Sequence, residues 1–196
     1  AKPEADEPAL AANLYVEIGR DRAGPAFRGH RGAVLLRAHR KDDFDALHAM
    51  WSEPDVYRHI LGRPPTREES WSRLLRYAGH WALLGFGYWA VEDRLTAGFL
   101  GEMGFADFRR DIAPSLDGTP ELGWALTTSS HGKGYATEAL MAINYWGDHN
   151  LTGARTACRT RPGSAPGCWR SCTICTSATC GAPGGAYTIA SPSLMT

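Results

Sequence analysis

The sequence predicts one α/β domain in the order strand, two helices, three strands, helix. Two changes of hydrophobic period and one glycine loop between a strand and a helix carry that reading. Val34-Leu35-Leu36 is the first apolar run and predicts a strand. Asp42, with Asp45 three residues on, predicts a helix N-cap. Phe44, Leu47, His48 and Trp51 follow at helical spacing, and Pro54 is expected to end that helix. A second helix is expected after Pro64-Pro65, opened by a capping box of Thr66 and Glu69, with Trp71, Leu74, Leu75 and Ala78 on one face. From Gly87 the period shortens to two. Gly87 to Val91 reads as a strand, Glu92 to Arg94 as a turn, Gly98 to Phe108 as a longer strand and Arg109 to Pro120 as a loop. Glu121 to Leu126 is the next strand. Ala136, Ala139, Leu140, Ile143 and Trp146 then share a helical face, with Gly147 placed to close that helix.

The chain of 196 residues suits one domain with a sizeable core. An apolar fraction of 43% and a charged fraction of 21% are those of an ordinary globular protein. A formal net charge of zero gives no general attraction to nucleic acid or to anionic lipid. No apolar run reaches the roughly 18 residues of a membrane helix. Residues 1–32 have few clustered apolar side chains and no apolar centre of a signal peptide, so a flexible extension and a cytoplasmic protein are expected.

The strand that runs into Gly132-Lys133-Gly134 and then a helix is a way to build an anion site. Glycines let backbone N–H groups converge, and a helix N-terminus adds about half a positive charge. The pattern is not a P-loop, since no glycine stands five residues before Gly132 and no Ser or Thr follows Lys133. Nor does it have the three-glycine spacing of a dinucleotide fingerprint. Pyrophosphate is the natural guest, although many glycine loops do no more than cap helices.

Glu121-Leu122-Gly123-Trp124-Ala125-Leu126 followed by His131-Gly132-Lys133-Gly134-Tyr135-Ala136-Thr137-Glu138-Ala139-Leu140 resembles the core motif of the GNAT-superfamily N-acetyltransferases. The resembling branch is that of the ribosomal-protein alanine N-acetyltransferases. Leu35-Leu36-Arg37, Asp42-Asp43-Phe44, Glu53-Pro54-Asp55-Val56, the helix start at Pro64-Pro65-Thr66 and Phe99 to Gly104 extend the likeness over Val34 to Trp146. His131 stands where the superfamily usually has Gln or Arg.

The resemblance implies a GNAT fold, an α/β architecture with a mixed, mostly antiparallel sheet flanked by helices, in a domain spanning 33–160. It implies acetyl-CoA as co-substrate, no metal, and acetyl transfer to a primary amine of a protein N-terminus or a small molecule. The expected partner is thus that amine, with neither nucleic acid nor membrane, in a monomer or homodimer. The pantetheine arm would lie beside the strand end at Ala125, Leu126 and Thr127. The pyrophosphate would lie on the loop of His131, Gly132, Lys133, Gly134, Tyr135, Ala136 and Thr137. The amine must lose a proton before it attacks, so a carboxylate is needed. Glu121 is the first candidate base and Glu102 the second, and a backbone N–H near Ala125 or Leu126 is the candidate oxyanion donor. Tyr135 is expected to pack beside the loop.

The last third departs from this pattern. All five cysteines (Cys158, Cys168, Cys172, Cys175 and Cys180) lie in the last 39 residues, and Asp, Glu and Lys are absent after Asp148. In the atypical tail 161–196, the segment Gly167 to Thr196 shows no amphipathic period. Three explanations stand: translation out of frame, a divergent end, or a metal site. The spacing Cys168-x3-Cys172-x2-Cys175 is that of radical-SAM enzymes, and Cys172, Cys175 and Cys180 are zinc candidates. An acetyl-CoA-binding protein whose tail leaves the active site incomplete is the alternative function.

Overall fold

The computed structural model describes residues 15–21, 24–29, 32–111, 113, 115–151, 156–158 and 187–189. Eight strands lie side by side in chain order: β1 (Tyr15–Asp21), β2 (Gly24–Gly29), β3 (Val34–Arg37), β4 (Tyr88–Asp93), β5 (Phe99–Ala106), β6 (Glu121–Leu126), β7 (Thr156–Cys158) and β8 (Tyr187–Ile189). The β6–β7 pair is parallel and the other neighbouring pairs are antiparallel. The expected mixed, mostly antiparallel α/β sheet is therefore present. Among the described residues four α-helices flank it: α1 (Phe44–Trp51), α2 (Pro54–Ile60), α3 (Arg67–Leu84) and α4 (Tyr135–Asn150). Among the described residues no helix is long and apolar enough to cross a membrane.

The sheet separates two cores, because side chains alternate between its faces. Val34, Leu36, Trp89, Val91, Met103, Phe105, Leu122 and Leu126 meet Ala139, Leu140, Ile143 and Trp146 of α4. Trp81 joins them from α3, and its ring, Trp89 and Trp146 meet edge to face at 4.7–5.5 Å between centres. On the opposite face Tyr88, Ala106 and Ala125 pack under Leu47, Met50 and Trp51 of α1, Val56 of α2, and Leu74 and Tyr77 of α3.

Several sequence expectations are corrected. Residues 15–21 and 24–29, read as part of a flexible extension, form a hairpin that continues onto β3 through Phe27↔Leu36 and Arg28↔Leu35. An added strand is held by backbone ladder bonds to an existing edge and so needs little apolar clustering. Pro54 does not merely end α1. It opens α2 at the first-turn position, where its missing N–H costs nothing. Asp43, not Asp42, stands at the N-cap position of α1 but makes no cap bond to it. It accepts instead from the Arg40 amide at 2.7 Å, across the 3-10 turn Lys41–Asp43. The box of Thr66 and Glu69 is present, but α3 buries Ser70, Leu74, Tyr77, His80 and Trp81 and leaves Trp71, Leu75 and Ala78 exposed. Gly147 lies inside α4, where a Cβ would meet Phe105 Cζ at 2.9 Å. Cys168, Cys172, Cys175 and Cys180 lie outside the described residues. Among those described, no His, Cys, Asp or Glu group could hold a metal ion.

A buried charge cluster ties the first helix to the sheet. Arg37 donates from Nε to Glu92 at 2.6 Å and through both terminal nitrogens to Asp43 at 2.8 and 2.7 Å. It thereby joins β3, β4 and the entrance to α1. Burial alone would raise the Asp43 carboxyl, but the Arg37 bonds and the Arg40 amide outweigh it and hold the group below its usual value. Asp43 thus adds stability at neutral pH that is lost as pH falls through its depressed value.

Candidate active site

At the C-terminal end of β6 the chain turns through Thr128–Ser130 into the glycine loop and α4. Gly132 and Gly134 have φ of +73° and +83°, left-handed values that a residue with a Cβ adopts only under strain. They turn the backbone so that α4 begins abruptly. Its first ladder bond runs from Glu138 N to Gly134 O at 3.0 Å, so the amides of Tyr135, Ala136 and Thr137 precede the ladder and have no helical partner. Buried Glu138 anchors the helix from behind, accepting from Ala33 N at 3.0 Å and Val34 N at 3.3 Å. The Tyr135 hydroxyl donates to Asp93 at 2.8 Å and fixes the other flank to the β4–β5 turn.

Ala136 and Thr137 border a cleft of about 650 Å³ lined also by Trp124, Ala125, Leu126, Ser130, His131, Gly132 and Gly134, with Asp55, Val56 and Ile60 of α2 opposite. Of the residues expected to hold the co-substrate, Ala125, Leu126, His131, Gly132, Gly134, Ala136 and Thr137 line it. Thr127, Lys133 and Tyr135 do not. The Thr127 amide is already committed to Leu100 O at 2.8 Å. Trp124, Ser130 and the α2 residues line it as well, although they were not among the residues expected to hold the co-substrate.

The β5–β6 ladder shows which backbone groups the cleft can use. Thr127 and Leu100 form a hydrogen-bonded pair, and the register runs without a break from Gly101↔Leu126 to Ala106↔Glu121. Hydrogen-bonded pairs alternate in an antiparallel ladder, so Ala125 and Gly123 turn their N–H and C=O toward β5. Trp124 and Leu126 turn theirs toward the other edge. Among the described residues, that edge is paired with β7 only at Glu121 and Leu122. The exposed edge between Trp124 and Leu126 can take one more extended chain. His131 reaches back to it, with Nε2 3.2 Å from Leu126 O.

The two candidate carboxylates sit differently. Glu121 is at the far end of β6, where both its oxygens accept from Arg110 Nε at 3.1 Å, and it does not line the cleft. Glu102 is the cross-strand partner of Ala125, which does line it. Fully buried, Glu102 accepts through Oε1 from Trp51 Nε1 at 3.1 Å and from the Tyr77 hydroxyl. Its Oε2 has no hydrogen-bond partner among the described residues. Burial raises its pKa to about 7 against the opposing pull of Arg73 and of the Tyr77 and Trp51 bonds. Such a carboxylate changes protonation near neutral pH.

One tie joins the two flanks. Glu53, at the start of α2, accepts from Thr128 N at 2.7 Å and from the Thr128 hydroxyl at 2.5 Å.

The acetyltransferase (GNAT) domain family matches residues 33–165. Solved structures of the same fold include a GnaT-family acetyltransferase from Bordetella pertussis, 27% identical over 71% of this chain and 81% of that one, with a TM-score of 0.62. An acetyltransferase from Agrobacterium tumefaciens is 22% identical over 70% of this chain and 75% of that one, with a TM-score of 0.58. A third, from Salmonella typhimurium, modifies the N-terminal serine of 50S ribosomal subunit protein L7/L12. It is 14% identical over 67% of this chain and 73% of that one, with a TM-score of 0.53.

Proposed function

The chain belongs to the acetyltransferase (GNAT) family, and from that membership we propose that it moves acetyl from acetyl-CoA to a primary amine by direct attack. The amine is that of a protein N-terminus or of a small molecule. One observation supports this reading above the others. Ala136 and Thr137, with their partnerless amides, and the exposed edge of Trp124 and Leu126 border the same cleft. The first suits a pyrophosphate, and the second suits an extended arm with its own amides.

When bound, acetyl-CoA supplies an acetyl group activated as a thioester. Gly132, Gly134, Ala136 and Thr137 hold the phosphates through backbone N–H groups. The Leu126 or Trp124 amide faces the acyl oxygen as negative charge develops there, the role expected of a backbone donor near Ala125 or Leu126. Glu102 takes the proton of the arriving ammonium through its unpaired Oε2. A carboxylate that titrates near 7 is matched to that task. Glu121, held by Arg110, shapes the far end of the same β6 face, on which the Tyr88 hydroxyl sits over Gly123 and Ala125 presents only a methyl group to the cleft.

Titration calorimetry with acetyl-CoA, run beside thiol release with a panel of amines, tests the reading. Micromolar binding with amine-dependent thiol release is expected. Binding without turnover makes the chain a cofactor-binding protein, and no binding overturns the proposal.

A further inference from the structure

We propose that the acceptor amine is carried by an acidic peptide segment, recognised by an arginine rim that α3 and the loop after β5 build beside Glu102. The inference rests on the acetyl-transfer reading and names its acceptor class.

Arg73 and Arg76 are three positions apart on α3 and so share a face. The Arg73 guanidinium lies 3.8 Å from the centre of the Trp51 ring, and its Nη1 donates to the Tyr77 hydroxyl at 3.3 Å. Arg76 and Arg110 both approach the ring of Phe108, at 5.4 and 4.4 Å from its centre, which brings helix and loop into one cationic patch. Arg109 adjoins it. Among the described residues neither Arg73 nor Arg76 has a carboxylate in ion-pair contact. Arg109 and Arg110 do, but Asp107 and Glu121 are turned inward. Their side chains are 6% exposed, against 67% and 38% for the two arginines. The surface therefore presents guanidinium groups, with Asp111 as an exposed carboxylate on the same loop.

The rim borders the proposed reaction centre. Arg73 donates to the Tyr77 hydroxyl, which in turn donates to Glu102, whose strand partner Ala125 lines the cleft. Arg76 follows Arg73 on the same helix face. Arg110 acts on Tyr88, whose hydroxyl stands where a Cβ of Gly123 would be. An amine placed above Ala125 leaves its following residues against Arg73, Arg76, Arg110 and Phe108. Carboxylates there meet planar forks that pair with them bidentately, whereas a cationic polyamine or a basic peptide meets like charge.

The test uses peptides with one common N-terminal residue, followed by Asp-Glu, Ser-Gln or Lys-Arg. It compares kcat/KM for the full chain and for Arg76→Glu at low and high salt. The acidic peptide should exceed the basic one by about tenfold or more at low salt, with the gap narrowing as salt rises. Arg76→Glu should reverse that order while leaving acetyl-CoA affinity unchanged. Rates indifferent to peptide charge, a preference for the basic peptide, or no effect of Arg76→Glu would overturn the inference. Calorimetric binding of the same peptides to the coenzyme A complex reads the rim even if no amine is acetylated. In that case the transfer reading fails, and an acidic peptide that binds no tighter than the basic one overturns the rim as well.

Discussion

Glu102 is asked to be both a core residue and a reactant. Burial raises its pKa to about 7, so the folded protein binds its proton more tightly than the unfolded chain does. Its ionisation therefore costs stability as pH rises from the carboxylate's ordinary value toward 7. As the proposed base it must be ionised, so kcat/KM should fall as pH drops below about 7. Glu102→Gln should lower kcat by roughly 10²–10³-fold and remove that limb of the pH profile. The same variant keeps an acceptor for Trp51 and Tyr77, so its thermal stability at pH 8 should rise, by up to roughly 3 kcal/mol. A variant that keeps full activity with an unchanged acid limb would transfer the base role elsewhere, to Glu121 first. None of this environment is legible in the sequence around Glu102. Its burial depends on Trp51 and Tyr77, which reach it across 51 and 25 positions of chain.

At the level of elements, the glycine loop and its helix are the part most open to test and were also the most legible. Gly132 and Gly134 are readable because left-handed backbone needs glycine, and β4, β5 and β6 because their patterns are short and apolar. A Cβ at Gly132 would touch nothing, so the penalty of Gly132→Ala is purely conformational. We expect about 1 kcal/mol of stability lost and acetyl-CoA affinity weakened by about tenfold, read by calorimetry. Thr66→Ala removes the hydroxyl that accepts Glu69 N at 3.2 Å and should cost about 1 kcal/mol in chemical unfolding, with kcat near that of the parent. The sequence misleads where apolar character and burial part company. On α3, Ser70 is buried because its hydroxyl meets His48 Nδ1 at 2.8 Å, and His80 because it meets Asp107 O at 3.2 Å, while Leu75 stays exposed. The segment from Glu53 to Arg73 is the expected source of acceptor specificity, but that Pro54–Ile60 is a helix was not legible, for another reason. Asp55, Val56 and Ile60 reach the cleft through tertiary packing, and Pro54 reads equally well as a stop or a start.

Across the whole molecule, two buried groups oppose each other in their response to acid. Burial pushes the pKa of His39 down to about 4, so it is neutral in the folded state. Its contribution is present above the ordinary histidine value and is lost as pH falls toward 4. Glu102 acts with the opposite sign over nearly the same range, and both press on Tyr77, His39 by stacking at 5.1 Å and Glu102 as the acceptor of its hydroxyl. The parent's stability should therefore change little between about pH 4.5 and 6.5. Glu102→Gln should make stability rise with pH across that interval and His39→Phe should make it fall, which urea unfolding at a series of pH values would show. Two parallel curves would mean that the groups do not titrate as their burial implies. Among the described residues no strand pairs with the edge at Trp124 and Leu126, and such an edge carries a cost for the unliganded chain. An open strand edge is a template for any other strand, including one from a second molecule that has begun to unfold. The ligand that fills the edge thus doubles as a guard against self-association, and a preparation stripped of coenzyme A should cloud at a lower temperature than one kept saturated.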